Sequence, residues 1–213
     1  MVLHGYWRSS AAYRVRIALN LKQLSYQQVS YHLRDGAQRR PEFLARNPQG
    51  LVPALEVDDG KFLTQSLAII EYLEETYPAV PLLPTTGLAK ARVRSIALAI
   101  ACDLHPLNNL RVLNFLGTEY GQDDAGKTAW YQHWVRRELD ALEDRLSRES
   151  ETGKFCHGNT VTLADVCLIP QLYNARRWNC DMAAYQTLLR IETSCLSLDA
   201  FSKAAPERQP DSE

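Results

Sequence analysis

The chain has 213 residues, 46% of them hydrophobic, and carries 24 Lys and Arg against 25 Asp and Glu for a formal charge of -1. That length and apolar content fill one large domain or two small ones, and the near-neutral balance gives no basis for nucleic acid or an anionic membrane as the main partner. Five cysteines with no C-x-x-C pair argue against a disulfide framework or a metal site of the zinc type, and they fit a reducing cytosol.

The opening "MVLHGYWRSS" lacks the basic-then-apolar order of a signal peptide, and no apolar stretch approaches the ~20 residues that span a bilayer, so a cytoplasmic protein without a membrane partner is expected. Residues 2–7, "VLHGYW", predict a strand. Tyr13, Ile17 and Leu21 then recur four apart and predict a helix. A second strand is expected in "SYQQVSYHL" (25–33), a short helix or irregular turn in "AQRRPEFLARN" (37–47), a third strand in "LVPALEV" (51–57), and a fourth in "KFLTQ" (61–65) after the turn "DDG". "SLAIIEYLEETY" (66–77) returns to helical period with Ser66 as its expected N-cap. The order β-α-β-α-β-β-α describes a small mixed sheet with helices packed on it.

Pro78, Pro81, Pro84 and Gly87 then interrupt regular structure and mark a linker. Beyond it no strand pattern persists. "ARVRSIALAIACDLHPLNNLRVLNFLG" places Val93, Ile96, Ile100, Leu104, Leu107 and Leu110 on one helical face, and further helices are expected near 125–148, 162–178 and 184–196. On this reading residues 1–80 form an α/β domain, 81–87 the linker and 88–213 an all-α domain. Pro106 and Pro170 fall inside helical patterns and favour kinks. "TLAD", Thr162 to Asp165, has capping-box spacing and is read as a helix start. The ending "ERQPDSE" is expected to be mobile.

Chemistry concentrates in three loops of the first domain. In "WRSSAAYRVRIALNLK" (7–22) a helix begins directly after a strand, so its unpaired N-H groups and positive dipole end favour an anion, to which Ser9 and Ser10 can donate. Either serine can equally serve as a cap alone, and Arg8, Arg14 and Arg16 can lie in solvent. In "NPQGLVPALEV" Pro53 interrupts a strand; a cis Val52-Pro53 bond is expected there, leaving the Val52 N-H and C=O to pair with an extended ligand. Gln65 and Ser66 open another helix and offer a second anion site.

These stretches, with "LLP", "CDLHPLNN", "TLADVCLIPQ", "NARRW" and "RQPDS", run through nearly the whole chain in order, and the sequence resembles the zeta class of cytosolic glutathione transferases, the maleylacetoacetate and maleylpyruvate isomerases. The resemblance implies a thioredoxin-like N-terminal domain, an all-α C-terminal domain, glutathione as cofactor and a homodimer. It assigns thiol activation to Ser9, with Ser10 in reserve and Arg14 adding positive potential. It places the glutathione backbone at Val52 and Pro53, its γ-glutamyl end at Gln65 and Ser66, and further contacts at Gln38, His105 and Asn109. The last two are four apart and are expected on one helical face. Where the family often has Ser-Ser-Cys, this chain has Ala11 third, so no cysteine adjoins the site.

The implied substrate is a small dicarboxylic keto acid whose carboxylates arginines can clamp; the candidates are Arg8, Arg111, Arg176 and Arg177. Thiolate adds reversibly to the cis double bond, rotation follows, and loss of the thiolate gives the trans, fumaryl product with glutathione regenerated. "CDLHPLNNLR" brings His105 and Arg111 together, somewhat as in the maleylpyruvate enzymes. Two other functions share these features: a conjugating or dehalogenating transferase acting on small α-halo acids, and a non-catalytic binding module.

Overall fold

Strand β1 (Val2–Gly5) lies between β2 (Gln27–Ser30) and β3 (Ala54–Glu56), with β4 (Phe62–Thr64) outermost, in a four-stranded sheet of order β2-β1-β3-β4. The structure is a computed structural model that describes residues 1–213 except the side chain of Asp59. β1 and β2 are parallel, which requires a crossover, and α1 (Ser10–Leu21) supplies it. β3 runs antiparallel to both β1 and β4.

The register places Gly5 opposite Ser30, His4 opposite Ala54 and Ala54 opposite Thr64. The C-terminal ends of β1, β2 and β4 and the N-terminal end of β3 therefore share one end of the sheet. Every loop singled out above leaves or enters there. The segment after β2 holds α2 (Pro41–Leu44), and β4 leads into α3 (Ser66–Thr76), which packs against α1. Leu3, Val15, Leu19, Leu55, Ile69 and Leu73 are fully buried and form the core around this packing.

Three expectations for this part are corrected. Gln65, not Ser66, is the N-cap of α3: its φ of 69° and ψ of 116° turn the chain out of β4, so that Ser66 is already the first helical residue. Arg14 and Arg16, read as residues that can be solvated, are 1% and 0% exposed. Their long side chains reach internal polar atoms, Arg14 Nη1 donating to Ser66 Oγ at 3.3 Å, and Arg16 donating to the distant Ala204 carbonyl at 3.0 Å and to the Trp7 carbonyl just before its own helix at 2.9 Å. The C-terminal tail is not loose. Gln209 is buried and donates to the carbonyls of Lys203 and Ala205, Asp211 accepts from the Trp7 backbone N-H, and Glu213 lies 2.6 Å from the His32 ring.

The chain divides into two units, Met1–Pro81 with Leu196–Glu213, and Leu82–Cys195. The sequence-based division differs at the C-terminal end, because the stretch after residue 195 returns to α1: Asn20 donates to the Ala200 carbonyl at 3.1 Å and Tyr13 Oη to that of Phe201 at 3.4 Å.

The second unit is helical. α4 (Gly87–Leu98) is capped by Thr86, whose Oγ1 accepts from the Ala89 N-H at 3.3 Å. Residues Ala99–Leu104 widen into a π-helical turn, followed by the short α5 (His105–Leu107) and, after a break, α6 (Leu110–Tyr120). The single face expected across this region is thus divided. Pro106 has no N-H to continue the four-residue ladder, and the His105 N-H bonds five residues back to the Ile100 carbonyl.

The later helices fall where periodicity places them, as α7 (Asp124–Arg148), α8 (Leu163–Arg177) and α9 (Gln186–Leu196). The short α10 (Asp199–Ser202) follows. The capping box at Thr162 is present: Asp165, fully buried, accepts from the Thr162 N-H at 2.8 Å, from Thr162 Oγ1 at 2.9 Å and from the Cys156 N-H at 2.8 Å. The five cysteines are free thiols. Among the described residues no helix is long and apolar enough to cross a membrane.

Candidate active site

Ser9 caps α1. Its backbone is extended, with φ -66° and ψ 115°, and its Oγ accepts from the Ala12 N-H at 3.2 Å. The Ser9 N-H itself donates to the Tyr6 carbonyl at 3.0 Å, which fixes the approach to the helix. Capping and chemistry are compatible, because the cap uses a lone pair of Oγ and leaves the hydroxyl hydrogen to donate elsewhere. Ser10 is the first helical residue and is only 5% exposed, so Ser9 is the hydroxyl better placed to meet a ligand.

At the neighbouring strand ends stand the other first-unit candidates. The Val52-Pro53 peptide is cis, as the proline position predicts. Gln65 combines its positive φ with a hydrogen bond from Nε2 to Gln49 Oε1 at 3.0 Å. Such a backbone conformation is uncommon outside glycine and clusters at ligand-holding sites. Ser66 follows, its hydroxyl accepting from Arg14. A buried guanidinium beneath the start of α3 reinforces the positive end of that helix and favours a carboxylate there. Gln38 Oε1, in the segment after β2, is buried without a protein partner among the described residues. Arg8 donates to Tyr6 Oη at 3.1 Å, and its guanidinium carbon lies 4.9 Å from the Trp7 ring centroid. Ser9, Ser10, Arg14, Gln38, Val52, Pro53, Gln65 and Ser66 thus all belong to one unit and to segments at, or directly beneath, one end of its sheet.

The second-unit candidates are arranged differently from expectation. His105 and Asn109 do not share a helical face: His105 is in α5, while Asn109 has extended dihedrals and caps α6, its Oδ1 accepting from the Arg111 N-H at 3.1 Å. Arg111 is therefore in the first turn of α6 rather than on the helix of His105. At the end of α8 the two arginines separate. Arg176 is held by both oxygens of Glu192, at 2.5 Å each, whereas Arg177 Nη1 makes a longer 3.4 Å contact with Asn174 Oδ1.

Two residues that hold this site were given no role from the sequence, although both lie in stretches that carry the resemblance, "NPQGLVPALEV" and "RQPDS". Gln49 meets Gln65, and Asp211, at the far end of the chain, meets the backbone two residues before Ser9.

Residues 3–81 match the glutathione S-transferase N-terminal domain and residues 128–195 the C-terminal domain of that family. The maleylacetoacetate isomerase of Rhizobium meliloti (strain 1021) is 50% identical over 207 residues, covering 97% of this chain and 96% of that protein. Among solved structures, the holo form of maleyl pyruvate isomerase, described as a bacterial glutathione S-transferase of the zeta class, superposes with a TM-score of 0.97 at 43% identity over the whole of both chains. A maleylacetoacetate isomerase from Methylobacterium extorquens AM1, solved with malonate and glutathione bound, gives 0.98 at 48% identity, again over both whole chains. The chain belongs to the glutathione S-transferase family, in its zeta class.

The first unit fits the cofactor that such structures hold. Glutathione offers carboxylates, amides and a thiol, and the sheet end offers two helix N-termini, the Arg14-Ser66 pair and an unpartnered buried acceptor on Gln38.

Proposed function

We propose that the chain is a glutathione-dependent cis-trans isomerase that converts maleylacetoacetate or maleylpyruvate to the fumaryl isomer, in tyrosine or related aromatic breakdown. The observation that carries this reading is the convergence of Ser9, Val52, Gln65 and Ser66 on one sheet end, set beside full-length relatives that bear the isomerase names. When bound, glutathione supplies a thiolate that adds to and leaves the cis double bond without being consumed.

The remaining work falls to the chain's own groups. A free thiol of the cysteine type titrates near ~8.5, so a donor is needed to hold the sulfur as an anion near neutrality. Ser9 Oγ-H is that donor, aided by the positive end of α1. Ser66, steered by Arg14, and Gln65 receive the γ-glutamyl end, Val52 pairs with the peptide backbone, and Gln38 accepts a ligand N-H. Within the second unit, Arg177 rather than Arg176 is the cation for a substrate carboxylate, because Glu192 neutralises Arg176 through two hydrogen bonds. Arg8 and Arg111 are the other carboxylate-binding cations, and His105 and Asn109 remain assigned to the cofactor. A cytoplasmic homodimer completes the reading.

The test is turnover with glutathione at about one-hundredth of the substrate concentration. Each cis acid is followed by its ultraviolet absorbance, and free thiol is counted at the end. Full conversion with thiol unchanged supports the isomerase. Conversion that stops when glutathione is exhausted identifies a conjugating transferase. No conversion and no glutathione binding leave a non-catalytic module.

A further inference from the structure

The backbone of Trp7 is gripped on both sides by two residues that have so far been given no role in the site. Its N-H donates to Asp211 Oδ2 at 3.0 Å, and its C=O accepts from Arg16 Nη2 at 2.9 Å. Neither grip is free to drift. Asp211 Oδ1 also accepts from Gln28 Nε2 on β2 at 3.1 Å, and Arg16 Nε is tied to the Ala204 carbonyl at 3.0 Å. The tail that carries Asp211 is itself anchored by the buried Gln209 and by the Glu213 contact with His32. Trp7 follows the last residues of β1, where ladder partners end, and precedes Ser9 by two positions. A hydroxyl that must meet a sulfur atom within hydrogen-bond distance depends on where that backbone is held.

We propose that Asp211, acting with Arg16, is a positioning residue: the C-terminal tail clamps Trp7 and thereby sets the place of Ser9 Oγ and of the Arg8 guanidinium stacked on the Trp7 ring. Asp211 and Arg16 touch neither substrate nor cofactor in this account and act through the loop. The tail is thus part of the catalytic apparatus although it lies 204 residues from Trp7 in sequence. A flexible terminus would not serve; an anchored one replaces the missing strand partner with a carboxylate that accepts two hydrogen bonds.

The proposal rests on the assignment of Ser9 for its catalytic consequence but not for its structural one, and the experiment reads both. Asp211→Ala and Asp211→Asn are prepared in the full chain; the asparagine retains an oxygen for the Trp7 N-H, and the Gln28 amide can turn to accept from its nitrogen. Amide hydrogen exchange in the free proteins measures the clamp with no ligand present. Exchange at Trp7 and Ser9 rises at least about tenfold in Asp211→Ala and stays near wild type in Asp211→Asn, with core amides such as Leu55 unchanged. In turnover, Asp211→Ala lowers kcat about 10- to 100-fold, changes KM for glutathione less than about threefold, and raises the thiol pKa of bound glutathione; Asp211→Asn restores most of each.

Unchanged Trp7 and Ser9 exchange in Asp211→Ala overturns the clamp whatever the enzyme does. Raised exchange with unaltered kcat and thiol pKa overturns its catalytic role. A wild-type protein whose bound thiol titrates like free glutathione instead refutes the assignment of Ser9, and the exchange result still decides the clamp.

Discussion

Replacing Ser9 by glycine and by alanine separates its two roles. As N-cap it accepts the Ala12 N-H at 3.2 Å, and loss of that bond to alanine costs about 1 kcal/mol, whereas glycine at an N-cap costs only a few tenths. As a donor to sulfur it makes a hydrogen bond to a charged group, worth roughly 1.5 to 3 kcal/mol. At 1.36 kcal/mol per pKa unit, that bond lowers the thiol pKa by about one to two units. Both variants lose the donor. Ser9→Gly is therefore expected to unfold in urea within about 0.5 kcal/mol of wild type while its turnover at pH 7 falls about 10- to 100-fold and its pH-rate profile moves to higher pH. Ser9→Ala shows the same kinetic loss and about 1 kcal/mol of destabilisation besides. The measurements are urea unfolding and kcat against pH. Full turnover in Ser9→Gly, with an unmoved pH profile, would refute the donor role.

Arg14→Lys keeps a charge but not the fork that reaches Ser66 from within the core, and a tenfold or so rise in KM for glutathione is expected with kcat little changed, read by initial rates. Arg177→Ala is expected to raise KM for the keto acid, while Arg176→Ala leaves that KM alone and lowers thermal stability by removing the pair with Glu192. Asp165→Ala strands the buried N-H groups of Cys156 and Thr162 and is expected to cost about 2 to 4 kcal/mol in urea unfolding, without a specific effect on glutathione affinity in protein that remains folded. Burial pushes the His4 pKa below its ordinary value of 6.5, so at pH 7 its 3.2 Å contact with Glu56 is made by a neutral imidazole rather than as an ion pair. The unfolded chain then binds the extra proton first as pH falls, so the His4 contribution to stability is complete above about pH 6.5 and is lost below it; in His4→Gln the urea midpoint should depend less on pH between 5 and 7.

Local chemistry was readable where one residue type dictates one local outcome. The proline at 53 marked its own cis bond, Ser9 its cap, and Thr162 with Asp165 a capping box. The long amphipathic periods placed α7, α8 and α9 within a few residues. What sequence did not convey depends on partners distant in the chain. Arg14 and Arg16 sit among polar letters in a helical pattern, yet both are buried: Arg14 reaches an acceptor 52 residues away, and Arg16 reaches one 188 residues away besides the nearby Trp7 carbonyl. The tail looked mobile for the same reason: polar and proline-containing, it carries its anchoring acceptors on Asp211 and Glu213, and their donors stand on the first 32 residues. The break between His105 and Asn109 escaped periodicity because apolar spacing continues across it while the backbone does not. Gln65 opened the expected helix, but a positive φ at a glutamine has no signature in sequence.

The central claim is that the loops at one end of the four-stranded sheet hold glutathione by way of Ser9, Val52, Gln65 and Ser66. Titrating the isotope-labelled protein with glutathione and following backbone amide resonances tests it directly. The account predicts saturable shifts at Ser9, Val52, Gln65 and Ser66, with the side-chain amide of Gln38 moving in step and the opposite end of the sheet, at Glu56 and Phe62, unmoved. Shifts confined to residues away from those four loops, or none at saturating glutathione, would contradict it.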